Sequence, residues 1–366
     1  MKITITARHQ GSSTVADPDP LIAAVPALLG FVPERSIVLM CFDDDLHVIA
    51  TMRHDLQFTP RGRTSASLRA LFDHLGDLAA SYGACGIIAV LIDDRYEPAD
   101  ERYARVSRDM DRMFADTGGL AAAFAIGEMR AGAYWRTAWQ TRRTAAVFGR
   151  EFAPDGTLSD PQASPIALQR AFETGRVVLH SRSEIAAMLT PVDHCADSIC
   201  TAVTPVAVSA PMCDADGPRL SRVYEAVLDR ACGTTVLSCE QVNELAEALV
   251  SVHVRDAAIG LSMTIHREAA QSLWLDLTRR LSGTPRAAAA TLLGHLHYMA
   301  GSGAFAATAF DVAHEADPSY GLANLLDTAL MNGMRPQELV GLADLSFDLA
   351  QRLGVTFPPA TYRAAG

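Results

Sequence analysis

Catalytic signatures are missing from this chain. There is no Gly-x-Ser-x-Gly nucleophile elbow, no phosphate loop ending in Gly-Lys-Ser/Thr, no Gly-x-Gly-x-x-Gly fingerprint and no His-Glu-x-x-His pair. Standard hydrolases, P-loop nucleotidases and dinucleotide enzymes are therefore disfavoured, although catalytic groups need only converge in space. Long apolar runs are missing too. None approaches the ~20 residues of a membrane helix, and residues 1–9 hold no apolar core of signal-peptide length. The expectation is a cytoplasmic protein with no membrane attachment. Basic residues are in deficit, 31 against 42 acidic, for a formal net charge of −11. That field repels phosphate backbones and argues against nucleic acid as a partner. The cysteines (Cys41, Cys85, Cys195, Cys200, Cys213, Cys232 and Cys239) are odd in number and scattered. Reduced thiols fit that pattern better than a disulfide framework.

What is present is ordinary globular material, 49% hydrophobic and 20% charged, in a chain of 366 residues. That length exceeds what one core usually fills, so two domains are expected. Strand and helix patterns alternate over the first ~150 residues, which favours an α/β layer architecture built on a mixed sheet with flanking helices. Leu21, Ile22, Val25, Leu28 and Leu29 lie on a short helix that Gly30 stops and Pro33 keeps stopped. Residues 36–42 and 46–52 read as a hairpin around Asp43, Asp44 and Asp45. Leu68, Leu71, Phe72, Leu75, Leu78 and Tyr82 define an amphipathic helix. Residues 86–92 are continuously apolar, as in a strand buried on both faces. A helix bearing Tyr103, Val106, Met110, Met113 and Phe114 follows, then a strand over 122–126. Residues 131–163 show little periodicity. Regular structure resumes with a helix near 164–174, a short strand over 177–180, and a helix start at Ser181 with Glu184. The domains expected are an α/β domain over 1–190, a proline-rich linker over 191–218, and an all-α domain over 219–366. In the last, Ser238 and Gln241 offer a reciprocal helix cap.

Gly294, His297, Gly301, Ala306, Phe310, Ala313 and Pro318 sit at tetratricopeptide-repeat spacing, in which small residues mark the close approach of two antiparallel helices. Gly260 lies one repeat period before Gly294, without the flanking small residues. The C-terminal domain is therefore expected to carry tetratricopeptide-like helix pairs, which bind partners or pack a core. His295, His297 and His314 read as packed histidines of that pair.

Three groups could carry chemistry. Asp43, Asp44, Asp45, Asp93, Asp94 and Glu128 all follow strand-like runs. In an open α/β sheet, ligands bind beyond the carboxyl ends of parallel strands. Asp93, Asp94 and Glu128 are the candidate cation or ligand site, since clustered carboxylates hold a hard ion such as Mg²⁺. Against this, aspartates are common in solvated turns because they bond the local backbone. Trp135, Arg136, Trp139, Arg142 and Arg143 form a candidate anion-binding cluster through guanidinium forks and ring faces. On a helix, the same spacing makes Trp135 and Trp139 one buried stripe. His194, Cys195, Cys200 and Cys213 could supply zinc ligands, but their irregular gaps favour ordinary thiols, so no metal is expected.

Three blocks, residues 19–33, 177–189 with its Ser-Arg-x-Glu core, and 301–326 with Ala316-Asp317-Pro318, resemble the actinobacterial domain of unknown function 4192 family. The resemblance runs over almost the whole chain and implies an actinobacterial cytoplasmic protein, with no established activity to carry over. Family members often place a small cysteine cluster after an aromatic pair. Tyr134 and Trp135 keep the pair, but no cysteine lies between Cys85 and Cys195. Any metal or redox role of that cluster would be absent. The reading is a non-catalytic protein-interaction or regulatory protein with a protein partner and no cofactor. The alternative is an enzyme, or a metal- or nucleotide-binding protein, using the acidic strand ends.

Overall fold

The computed structural model describes residues 6–10, 13–174, 177–192, 212–233 and 236–361. Its contacts divide the chain into two compact units, Met1–Arg182 and Ser183–Gly366.

In the first unit β1 (Thr6–Gln10) and β2 (Ser13–Asp17) pair with each other. Helix α1 (Asp19–Leu29) ends where Gly30 turns to φ +87 and its N–H returns to the Pro26 carbonyl, a conformation that glycine adopts without steric cost. The main sheet follows from β3 (Ser36–Phe42) and β4 (Val48–Asp55), the expected hairpin. Then come α2 (Ala66–Ser81), β5 (Gly86–Ile92), α3 (Glu101–Met113) and β6 (Ala122–Ile126). Strand β7 (Tyr134–Gln140), α4 (Arg142–Phe148), β8 (Asp155–Thr157) and α5 (Pro165–Thr174) complete the unit. The sheet order is β4-β3-β5-β6-β7-β8; β5 and β6 are parallel and every other neighbouring pair is antiparallel.

Side-chain alternation explains the layers. Val38, Met40, Ile88, Val90, Phe124 and Ile126 share one core with α1, α4 and α5. Ile37, Leu39, Ile87, Ala89, Leu91 and Ala125 share another with α2 and α3. Both faces of the central strands are thus covered, which is why residues 36–42 and 86–92 read as unbroken apolar runs.

Two local expectations are corrected. Residues 134–140 form a strand, not a helix, and a register shift opposite Ala123 and Phe124 interrupts it. Trp135 consequently packs into the α1 side of the sheet while Trp139 packs into the α2–α3 side, as a bulge of one residue requires. Residues 177–180 form no strand; Leu179 makes a single bridge to Phe31.

The second unit is helical. After α6 (Arg182–Met188) it continues with α7 (Asp216–Ala231), α8 (Cys239–Leu249), α9 (Val252–Ala258) and α10 (Arg267–Arg280). The last four helices are α11 (Gly283–Met299), α12 (Gly303–Ala316), α13 (Gly321–Met331) and α14 (Val340–Arg352). The reciprocal cap forms as expected: Ser238 N–H donates to Gln241 Oε1 at 2.8 Å and Gln241 N–H to Ser238 Oγ at 3.2 Å. Every residue from Ala287 to Met299 is buried, so α11 is the central rod of the unit. Helix α12 folds back along it. A Cβ placed on Gly294 would lie 2.4 Å from Phe310 Cε1, and His297 stacks on Phe305 with ring centroids 4.7 Å apart. The pairs 294–310 and 297–305 converge on the intervening turn, which defines an antiparallel hairpin. Of the expected linker, residues 193–211 lie outside the described residues.

Candidate functional site

Parallel pairing of β5 and β6 brings their carboxyl ends to one edge of the sheet, and the Asp93 N–H extends the ladder to the Ile126 carbonyl at 2.9 Å. Asp93, Asp94 and Glu128 therefore leave the sheet at this edge. Each carboxylate is met by its own arginine. Asp93 is fully buried and takes Arg95 in a fork, Nε at 2.6 Å and Nη2 at 3.1 Å. Asp94, exposed, takes Arg35 in a second fork at 2.7 and 3.1 Å, and that bond holds its pKa below the usual carboxylate range. Glu128 pairs with Arg130 at 3.0 Å, both exposed. Buried Tyr103 closes the floor beneath Asp93, its hydroxyl 3.5 Å from the Asp93 carbonyl oxygen. Burial, reinforced by the Asp93 charge, raises the pKa of that phenol and keeps it protonated.

The Asp triplet lies elsewhere. Phe42 pairs with Gly86, at the start of β5, so residues 43–45 sit at the opposite edge. They make the β3–β4 turn. Asp43 Oδ1 accepts the N–H groups of Asp45 at 3.0 Å and His47 at 2.8 Å, and the His47 bond lowers its pKa.

The tryptophan–arginine group does not gather on one surface. Trp135 is fully buried, and Arg108 of α3 stands 5.9 Å over the Trp139 ring on the other side. Arg143 Nη2 donates to the Thr117 carbonyl at 2.8 Å and the Cys85 carbonyl at 3.2 Å, clasping α4 to the segments that lead into β5 and β6. Arg136 and Arg142 face solvent. In the helical unit Cys213 is exposed; His194, Cys195 and Cys200 lie outside the described residues. Among the described residues no group of three or more His, Cys, Asp or Glu side chains could hold a metal ion. No described helix is long and apolar enough to cross a membrane.

One concave surface escaped the sequence reading. Beyond the end of β5 an open cleft of about 830 Å³ lies between residues 58–62 and the segment leading into α3. Phe58, Arg61, Arg95, Tyr96, Arg102 and Arg105 line it. The Thr59–Arg63 loop is held tight by three bonds: Gly62 N–H to the Thr59 carbonyl and Thr59 N–H to the Arg63 carbonyl, both 2.8 Å, and Arg63 N–H to Thr59 Oγ1 at 3.1 Å. Arg95 Nη2 also donates to the Leu56 carbonyl at 2.9 Å. Arg102 Nε bonds the cap residue Asp100 at 2.9 Å while its guanidinium lies 3.2 Å over the centre of the Tyr96 ring. Arginines in loops and on helix surfaces are by default solvated, and these come from two segments that only the fold joins. Their shared type is the one available signal: Lys2 is the chain's single lysine, so its basic chemistry is almost wholly guanidinium.

The chain belongs to the DUF4192 family, described as a domain of unknown function, whose model matches residues 18–337. No curated protein and no solved structure matches it.

Proposed function

We propose that this chain is a non-catalytic, cytoplasmic interaction or regulatory protein whose partner is another protein rather than nucleic acid. The observation that carries the reading is the ion pairing at the carboxyl end of β5 and β6. Asp93, Asp94 and Glu128 are each already balanced by an arginine. A carboxylate so neutralised has weak attraction for a divalent cation, which must first displace the guanidinium. The antiparallel α11–α12 hairpin, with Gly294 seated on Phe310, supports a tetratricopeptide-like scaffold for a protein partner. The separate cores of the two units support an α/β domain within residues 1–190 and a helical domain over 219–366, joined through residues 191–218, although Leu189 packs in the helical core and α7 already begins at Asp216.

The enzyme or cation-binding alternative draws on the same edge of the sheet, where ligands of α/β folds collect. Thermal melts of the purified protein with and without Mg²⁺ or Mn²⁺ separate the two. The proposed reading expects unchanged midpoints. A several-degree stabilisation by either cation, abolished by Asp94→Asn and Glu128→Gln together, would instead make the acidic strand ends a metal site.

A further inference from the structure

We propose that the arginine-lined cleft beyond β5 binds a small phosphate-bearing anion, a phosphate monoester or a diphosphate. The inference is independent of the protein-partner reading, because it concerns the purified chain alone.

Two of the four arginines are fixed in place and two are free to close. Arg95 is pinned by the buried Asp93 fork and by the Leu56 carbonyl. Arg102 is pinned by Asp100 and by stacking on Tyr96. Neither needs ordering when a ligand arrives, so the entropic cost of using them is already met by the fold. Arg61, at the tip of the opposing loop, is exposed and makes no hydrogen bond or ion pair among the described residues. Arg105 pairs only with Glu101, whose side chain is 84% exposed, and so exposed a pair contributes little. The two walls meet: a Cβ on Gly62 would lie 3.9 Å from the Arg102 guanidinium carbon.

Charge selects the ligand class. Asp100 and Glu101 on the wall and Asp93 behind it offset three of the four arginines, which leaves a local positive excess in a chain of net charge −11. A positive cleft within a negative envelope focuses anions against the overall field. Guanidinium forks match the tetrahedral oxygens of phosphate through paired N–H bonds, and two mobile arms suit a dianion better than a single carboxylate. The volume of about 830 Å³ lies in the range of small-molecule sites. A nucleic-acid backbone fits less well, because the rest of the surface repels it. The Tyr96 face is already covered by Arg102, so recognition rests on the phosphate rather than on base stacking.

Calorimetric titration and thermal melts at constant ionic strength, with pyrophosphate, inorganic phosphate, adenosine 5′-monophosphate, adenosine and sulfate as probes, test this. Arg61→Ala breaks no bond among the described residues and Arg105→Ala only its exposed pair with Glu101; Arg142→Ala, an exposed arginine on α4, is the control. Pyrophosphate or a phosphate monoester should bind wild type and the control alike. Each free-arm variant should weaken binding on the order of ten- to a hundredfold, as loss of a charged hydrogen bond does. Binding of inorganic phosphate alongside the ester would place recognition in the phosphate group. Binding of the ester alone would add a contribution from its organic part, and either result supports the site. Three results would overturn it: no probe binding at millimolar concentration, sulfate binding as tightly as the phosphates, or equal binding by wild type and the Arg61→Ala/Arg105→Ala double variant.

Discussion

His295 lies on the central helix α11, fully buried, with neither ring nitrogen hydrogen-bonded. Burial first, and the nearby Arg267 charge second, lower its pKa from 6.5 to about 4. The unfolded chain therefore takes up a proton that the folded chain refuses, starting near pH 6.5. Folding stability should fall as the pH drops from 6.5 to 4 and lose no more from this group below that. The full shift is worth about 3 kcal/mol. His295→Leu should remove that slope and, since both orphaned nitrogens leave with it, cost nothing at pH 7. Denaturant titrations of both proteins at pH 7 and pH 4.5 measure the difference; equal acid sensitivity would show that another group controls it. Asp93 presents the converse case. Removing its partner by Arg95→Ala strands a carboxylate that is 0% exposed, and should cost about 3–5 kcal/mol in the same titration at pH 7. The spacing of residues 86–94 located Asp93 at a strand end, because an apolar run followed by aspartates is a local pattern. The guanidinium beside it was not legible from a turn whose side chains could equally face water. Trp135 and Trp139 were misread for a related reason. A spacing of four suits one face of a helix and one face of a regular strand, and the bulge that separates them depends on pairing with Ala123 and Phe124.

Among the elements, the α11–α12 hairpin packs most closely at Gly294. Gly294 lacks the Cβ that would strike Phe310, and Ala306 and Phe310 are completely buried in the same cluster as Tyr298. Gly294→Ala sets two effects against each other. Alanine favours a helix interior by about 0.5–1 kcal/mol over glycine, but a methyl 2.4 Å from a buried ring carbon forces the helices apart. Overpacking costs about 1–3 kcal/mol, so the clash wins and the variant should be less stable. Combining it with Phe310→Leu tests the cause. The double variant should lose less than the two single losses added together, because each change relieves the other. Strict additivity would place the strain elsewhere. The all-helical character of the second unit and the Ser238–Gln241 cap were legible in the sequence, whereas α14 (Val340–Arg352) was not read as a helix. The first unit's central strands were legible through unbroken apolar runs. The arginine cleft was not. Its walls are the loop near residues 58–62 and the segment 95–105 that runs into α3, far apart in the chain, and β5's place beside β3 and β6 brings them together.

At the scale of the whole molecule, the two units hold their apolar residues in separate cores, and this governs how the protein should unfold. A single cooperative transition requires that one core cannot persist without the other. Sheet and helices of the first unit bury Val90 among α1, α4 and α5, while α11 collects the second unit's core around itself. Each unit is of the size at which a domain commonly folds alone. Differential scanning calorimetry should therefore resolve two transitions. Val90→Ala, a cavity at the centre of β5, should lower only one of them, and Gly294→Ala only the other. Limited proteolysis should cut between residues 191 and 218 and leave two resistant fragments, since a proline-rich stretch with little periodicity is a poor substrate for regular structure and a good one for proteases. If either substitution instead lowers both transitions equally, the units stabilise each other. The helical unit would then be no independent scaffold for a partner, and a ligand in the arginine cleft could act on the helices through that shared stability.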